Sequence, residues 1–268
     1  MLIASFTFTT MNVFVKAVSH IPAIEVIFFR SVVSLIMSYA ALAKQGVSVW
    51  GNNKPVLLLR GMTGAIALLI FFILIQEIPL ATASSLAYLA PIFTTMLGIF
   101  ILGEKVKPWQ WIFFAVSFSG VIMIQGFDPR VDFIHLLMGI GTSFFMGLAY
   151  NFVRKLKSTE HPLVIIFYFP LVMLPFSAIW SGFVWVMPVG LDWLYLIAVG
   201  VLTQIAQFFM TKSYQMESLS KVSIVNYVGI VFSLSYGWLF FDEAFNLATF
   251  VGMGLVILGV AMNVILKK

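Results

Sequence analysis

The sequence predicts an all-α integral membrane protein, with ten transmembrane helices in two inverted five-helix repeats. Three observations predict it. The chain of 268 residues is 62% hydrophobic and only 9% charged, with a mean hydropathy of +1.07. A soluble domain carries roughly 25% charged residues, and one this apolar would expose large sticky patches. The apolar residues come in long runs, such as 56–75 and 248–266, and about 20 helical residues cross the ~30 Å hydrocarbon core. Backbone groups in lipid must pair internally, which leaves helices or a closed barrel. Barrel strands would alternate in hydropathy, and these runs do not. Finally, the sequence repeats itself once at a fixed offset.

Charges, glycines and prolines divide the chain. They place helices at residues 2–19, 23–43, 56–76, 80–102, 108–125, 133–154, 162–185, 191–212, 217–241 and 245–266. The first run stops at Ser19-His20-Ile21-Pro22; lacking a basic start and a small-residue cleavage site, it reads as a helix rather than a leader. The second carries Glu25 and Arg30 and runs towards Lys44. The third lies between Lys54 and Gln76-Glu77-Ile78-Pro79. The fourth ends at Gly103-Glu104-Lys105 and contains Pro91, which has no N–H for the ladder and is expected to bend it near mid-membrane. Trp109 and Trp111 open the fifth as interface anchors. The sixth closes on Arg154, Lys155 and Lys157, and the ninth is joined to the tenth by Asp242-Glu243. The short joins leave no room for an aqueous catalytic module.

Lys and Arg orient the bundle. Twelve, Arg60 among them, are assigned to the even-numbered joins and the C-terminus; the odd joins carry only Lys16 and Arg130. This bias puts both termini in the cytoplasm of a bacterial cell, with the protein in its inner membrane. There is no cysteine, and no metal-ligand cluster, nucleotide loop or nucleophile elbow points to a cofactor. An integral membrane enzyme acting on lipid would need clustered histidines or acids at one interface. His20, His135 and His161, all assigned to the outer face, are far apart in sequence.

At an offset of 139 residues the halves align without a gap. Asn12 then meets Asn151, Lys16 meets Lys155, Gly61 meets Gly200, Tyr88 meets Tyr227 and Glu104 meets Glu243. The repeats are residues 1–129 and 130–268. Five helices is an odd number, so the second half enters the membrane from the opposite side. Such an inverted pair can rock about a midplane site.

Asn12-Val-Phe-Val-Lys16, then Glu25-Val-Ile-Phe-Phe-Arg30-Ser31, resembles the opening of the EamA branch of the drug/metabolite transporter superfamily. So does Ala83-Ser-Ser-Leu-Ala-Tyr88-Leu-Ala-Pro91 through Gly98 to Gly103-Glu104. The resemblance spans nearly the whole chain, though Pro91 is matched by Ile230 and Gly103 by Asp242 in the second copy. It implies ten helices, five-plus-five inverted repeats, a central cavity and transport of small metabolites, with amino acid exporters and S-adenosylmethionine carriers among the members. The expected partners are a small-molecule substrate and membrane lipids, not nucleic acid, and the chain is expected to act as a monomer or weak homodimer.

Within that frame the candidate substrate-binding residues are Asn12, Arg30, Tyr88, Pro91, Gln204, Gln207, Asn226 and Tyr227. Arg30 lies about 10 Å inside its helix at 1.5 Å per residue. Intramembrane arginines face a bundle or wet cavity and have a partner. Here the reading is either an anchor for a substrate carboxylate, or an ion pair with Glu25 or snorkelling to the outer interface. The amides and tyrosines either line a cavity or glue helices. Phe71, Phe72, Tyr150 and Trp238 are candidates for an aromatic lining. Glu104 and Glu243 read as structural, each capping the helix that follows it. No acid lies mid-helix, which argues for facilitated diffusion or exchange. A site of one cation, amides, phenols and aromatics suits a small zwitterion or organic anion, such as an amino acid, with S-adenosylmethionine or another nucleoside-like metabolite as the alternative.

Overall fold

The computed structural model describes residues 1–103, 108–127, 130–216 and 228–265; Glu104, Asn226 and Tyr227 lie outside them. Regular structure among the described residues is helical: α1 (Leu2–Ala17), α2 (Ala23–Lys44), α3 (Lys54–Glu77), α4 (Leu80–Ala87), α5 (Ala90–Leu102), α6 (Pro108–Phe127), α7 (Phe133–Lys155), α8 (Pro162–Val184), α9 (Asp192–Met216), α10 (Val228–Phe241) and α11 (Leu247–Ile265). Six segments are long and apolar enough to span a bilayer: α2, α3, α4 with α5, α7, α8 and α9. Shorter apolar stretches lie in α1, α6, α10 and α11. Large apolar side chains such as Phe100, Ile122 and Phe183 point outwards, as they must when the surrounding solvent is hydrocarbon. Trp238, expected in an aromatic lining, is also outward-facing at 68% exposure.

The fourth predicted helix is interrupted rather than bent. Pro91 has no N–H to give the Ala87 carbonyl. The next N–H, on Ile92, turns to Leu89 O at 2.9 Å instead of reaching back to Tyr88. The ladder therefore restarts at Ala90, with Pro91 in the first turn of α5, where a proline costs nothing.

The principal contacts cross between the halves. α1 packs on α9 and α3 on α7; α2 packs on α9 and α3 on α8; α1 packs on α10 and α5 on α7. Moving 139 positions along the chain carries the first of each pair of contacts into the second. α2 meets α8 and α6 meets α11, each pair its own counterpart. The correspondence reaches single side chains. A Cβ on Gly61 would fall 2.8 Å from Val172 Cγ2, and one on Gly200 would fall 2.5 Å from Val33 Cβ; Val33 and Val172 are themselves 139 apart. Gly103 ends α5 in the left-handed region (φ 68°), and Asp242, at the same offset, ends α10 with φ 48°. The Gly-to-Asp difference between the copies thus preserves the chain reversal, since Asp tolerates this region better than most side chains.

Polar groups close the end of the bundle at which α1 and α3 finish, the far end. Lys16 Nζ lies 3.0 Å from Glu243 Oε1 and donates to the carbonyls of Ile75 and Ile78. Glu243 also accepts the Leu80 N–H at 2.9 Å. The expectation that Glu243 caps its own following helix is thereby corrected: it caps α4, in the other half, where the buried first N–H of the helix meets its carboxylate, while Asn246 accepts the Thr249 N–H at the start of α11. His20 pairs with Asp192, and His135 with Glu77, at this end. Asp132 opens α7, accepting the His135 N–H at 2.8 Å, a bond that holds its carboxyl below the usual range. His161 opens α8 beside Glu160, which accepts the Asn52 N–H. That is the near end, where α3 begins, so the three histidines do not share one face.

Candidate functional site

A cavity of about 180 Å³ opens between the halves. Each contributing helix presents a stripe at helical spacing: Ser5, Phe8, Thr9 and Asn12 from α1; Arg60, Gly64, Ala67, Leu68, Phe71 and Phe72 from α3; Gln207, Met210 and Tyr214 from α9. Arg30 enters from α2, Ser84 from α4, Tyr88 from the break that follows α4, Pro91 and Thr94 from α5, Tyr150 and Asn151 from α7, and Phe169 from α8. Among the described residues α6 and α11 contribute nothing; they lie at the periphery, packed on each other through Gly120 and the Gly252 backbone. The cavity reaches Ser5, Leu102 and Tyr214 at the near end. Towards the far end Ser84 and Ser233 meet, Oγ to Oγ, at 2.9 Å. The interruption in the fourth segment puts Ala87 and Tyr88, whose carbonyls the proline displaces from the ladder, on the cavity wall.

Arg30 is 1% exposed. Its Nε donates to Thr203 Oγ1 at 2.9 Å, and that hydroxyl donates to Met11 Sδ at 2.8 Å. The guanidinium carbon sits 4.7 Å from the Phe169 ring centroid and 5.9 Å from that of Phe72. The expected ion pair with Glu25 does not form. Five residues along a helix turn a side chain well away from the first, whereas partners sit three or four apart. Glu25 instead accepts the Val186 N–H at 2.9 Å at the far end.

Arg60, assigned from the sequence to a cytoplasmic join, is a cavity residue. It is the seventh residue of α3, so about 9 Å inside it at 1.5 Å per residue, and it is 3% exposed. Its guanidinium carbon lies 5.1 Å from the centroid of the same Phe169 ring, and Nη2 donates to Gln207 Oε1 at 3.4 Å. Nε and Nη1 have no partner. Gly64, one turn on, makes the arrangement possible: a Cβ there would fall 3.0 Å from both Arg60 Nη1 and Phe169. The sequence signal was this Arg-x-x-x-Gly spacing, with the stripe continuing through Ala67, Leu68 and Phe71.

Of the expected site residues the structure brings Asn12, Arg30, Tyr88, Pro91 and Gln207 to one cavity. Asn12 Oδ1 is buried there with no partner. Gln204 is 7% exposed but lies off the cavity stripe of α9. Asn226 and Tyr227 lie outside the described residues. Sequence reasoning missed Arg60 and Phe169, and identified Asn151 only as the repeat mate of Asn12; Asn151 donates to the Thr94 and Gly147 carbonyls.

A multi-pass helical membrane protein with a largely apolar, aromatic cavity carrying two arginines between interlocked halves is built to pass a solute. The comparisons give the family: the EamA-like transporter family model matches residues 1–126 and again 133–265, and the chain belongs to that family. It is 34% identical to the "Pseudopaline exporter CntI" of Pseudomonas aeruginosa, over 95% of this chain and 91% of that one. It is 29% identical to "Solute carrier family 35 member G1" of Homo sapiens, over 98% and 76% of the two chains. It is 23% identical to the "S-adenosylmethionine uptake transporter" of Rickettsia felis, over 89% and 82%. A solved crystal structure matches with a TM-score of 0.67 at 19% identity, covering 97% of this chain and 95% of that one; at that identity it speaks for the fold. The chain is a membrane transporter.

Proposed function

We propose that this transporter carries a small organic anion or zwitterion, an amino acid or a related metabolite, through the cavity around Arg30. Ten spans form two inverted five-helix repeats that rock about it, in the inner membrane of a bacterium with both termini cytoplasmic. The observation that carries the reading is a buried arginine facing a cavity with no carboxylate partner among the described residues. An uncompensated buried ion costs several kcal/mol, and a bound carboxylate would offset that cost. The exchange of contacts at the 139-residue offset supports the inverted repeat. With the far end closed by Lys16, Glu243 and the Ser84–Ser233 contact, and the cavity reaching the near end, the conformation is inward-facing in the proposed topology.

S-adenosylmethionine, a cation at its sulfonium, fits this site less well, because the described lining holds two arginines and no Asp or Glu. The test is counterflow in proteoliposomes against a panel of amino acids and organic acids, with wild type and Arg30→Lys. Lys keeps the charge but not the planar fork, so transport of the active solute should fall at least about ten-fold. Transport undiminished in Arg30→Lys would sink the anchor role.

A further inference from the structure

Arg60 changes the charge balance of the site. The two guanidinium carbons lie 4.7 and 5.1 Å from one ring centroid, so they are at most ~10 Å apart, and salt screens buried charges far less than exposed ones. Both are buried. Thr203, Gln207 and the Phe169 face solvate them in part, but all three are neutral, and the Gln207 contact is long at 3.4 Å. Nε and Nη1 of Arg60 are buried with no acceptor, although a guanidinium has five donors to satisfy. A monoanion on Arg30 would leave the second charge uncompensated.

We infer that the site takes a small organic dianion, one negative charge on Arg30 and one on Arg60, across the Phe169 ring. This rests on the reading of the cavity as the substrate site and adds the substrate's charge. Two carboxylates on a short scaffold, or one doubly ionised phosphoryl group, share this chemistry. The arginine pair is one-sided. The positions 139 further on hold Phe169 and Val199, so the first half supplies both cations and the second supplies the ring and the amide.

The experiment uses the full-length protein in nanodiscs, titrated with isophthalate (two carboxylates), phenyl phosphate (one phosphoryl group) and benzoate (one carboxylate). The variants are Arg30→Gln and Arg60→Gln. Wild type should bind one of the dianions at least about ten-fold more tightly than benzoate; which one distinguishes two acids from one phosphoryl group. Arg60→Gln should shrink that preference to about three-fold or less, and in the absence of ligand its Tm should equal or exceed that of wild type, because an unpaired buried cation has been removed. If benzoate binds through Arg30 as tightly as the dianions, the dianion inference is overturned while the anchor reading stands. A ligand-free Tm that falls sharply in Arg60→Gln, with all affinities reduced alike, makes Arg60 a structural residue and also overturns it. If no probe binds, or binding is indifferent to Arg30→Gln, both readings fall.

Discussion

Gly64→Ala isolates the cavity geometry from its charges. The added methyl would sit 3.0 Å from Arg60 Nη1 and 3.0 Å from Phe169 Cδ2 and Cε2, against 3.4–4 Å for ordinary contact. Phe169 lies under both guanidinium groups and has little room to give, so Arg60 Nη1, the end of a flexible side chain, is the neighbour that shifts. Overpacking of this kind costs about 1–3 kcal/mol, while replacing glycine by alanine inside a helix returns up to ~1 kcal/mol. Stability should therefore change little, by at most about 2 kcal/mol. Binding should suffer more. Displacing Arg60 forfeits a hydrogen bond to a charged group, about 1.5–3 kcal/mol, which is roughly ten- to a hundred-fold in affinity. Thermal unfolding followed by tryptophan fluorescence gives the first quantity, and isothermal titration with the preferred dianion the second. An affinity within two-fold of wild type would refute the argument that Gly64 makes room for the stacked arginine.

Three further perturbations test separate parts of the structure. Glu243→Gln should destabilise the protein by about 3 kcal/mol, the low end for breaking a buried ion pair, because Gln can still accept the Leu80 N–H; adding Lys16→Gln should recover part of the loss, and strictly additive effects would dissolve the pair. Thr203→Val keeps shape but takes away the acceptor of Arg30 Nε, so the ligand-free protein should lose about 1.5–3 kcal/mol of stability, measurable by the same thermal unfolding. A reporter fused after Lys268 should be cytoplasmic and one inserted near Asp192 periplasmic; the same side for both would change the number of spans by an odd count.

The helices were legible because lipid as solvent forces long apolar runs, and the boundaries of α2, α7 and α8 fall within a residue or so of expectation. The interruption at Tyr88–Leu89 was half legible. Pro91 announced a missing N–H, but whether a helix bends or restarts depends on whether the next donors find the old ladder, and Ile92 does not. Arg60 was misplaced because a charge-bias count treats any cation near the start of a span as a loop residue; Gly64, one turn further on, carried the correction. Gln204 and Gln207 are three residues apart, and hydropathy alone cannot say which faces the partner halves. Glu243 could be recognised as structural from its place at a helix end, but its true partner lies 163 residues away in sequence. No local pattern records that.

Arg30 stacks on Phe169, the residue 139 positions along from itself. Where a pair of equivalent positions meets, identical side chains would place like charges face to face, so the two halves cannot be interchangeable there. A solute held between them is seen differently from the two sides of the membrane. For a passive carrier no free energy enters the cycle, so half-saturation concentrations may differ between the faces only if maximal rates differ in proportion. Inward and outward flux measured on vesicles of known orientation should then show unequal constants with one common ratio of maximal rate to half-saturation concentration, and a departure from that common ratio would reveal a coupled ion.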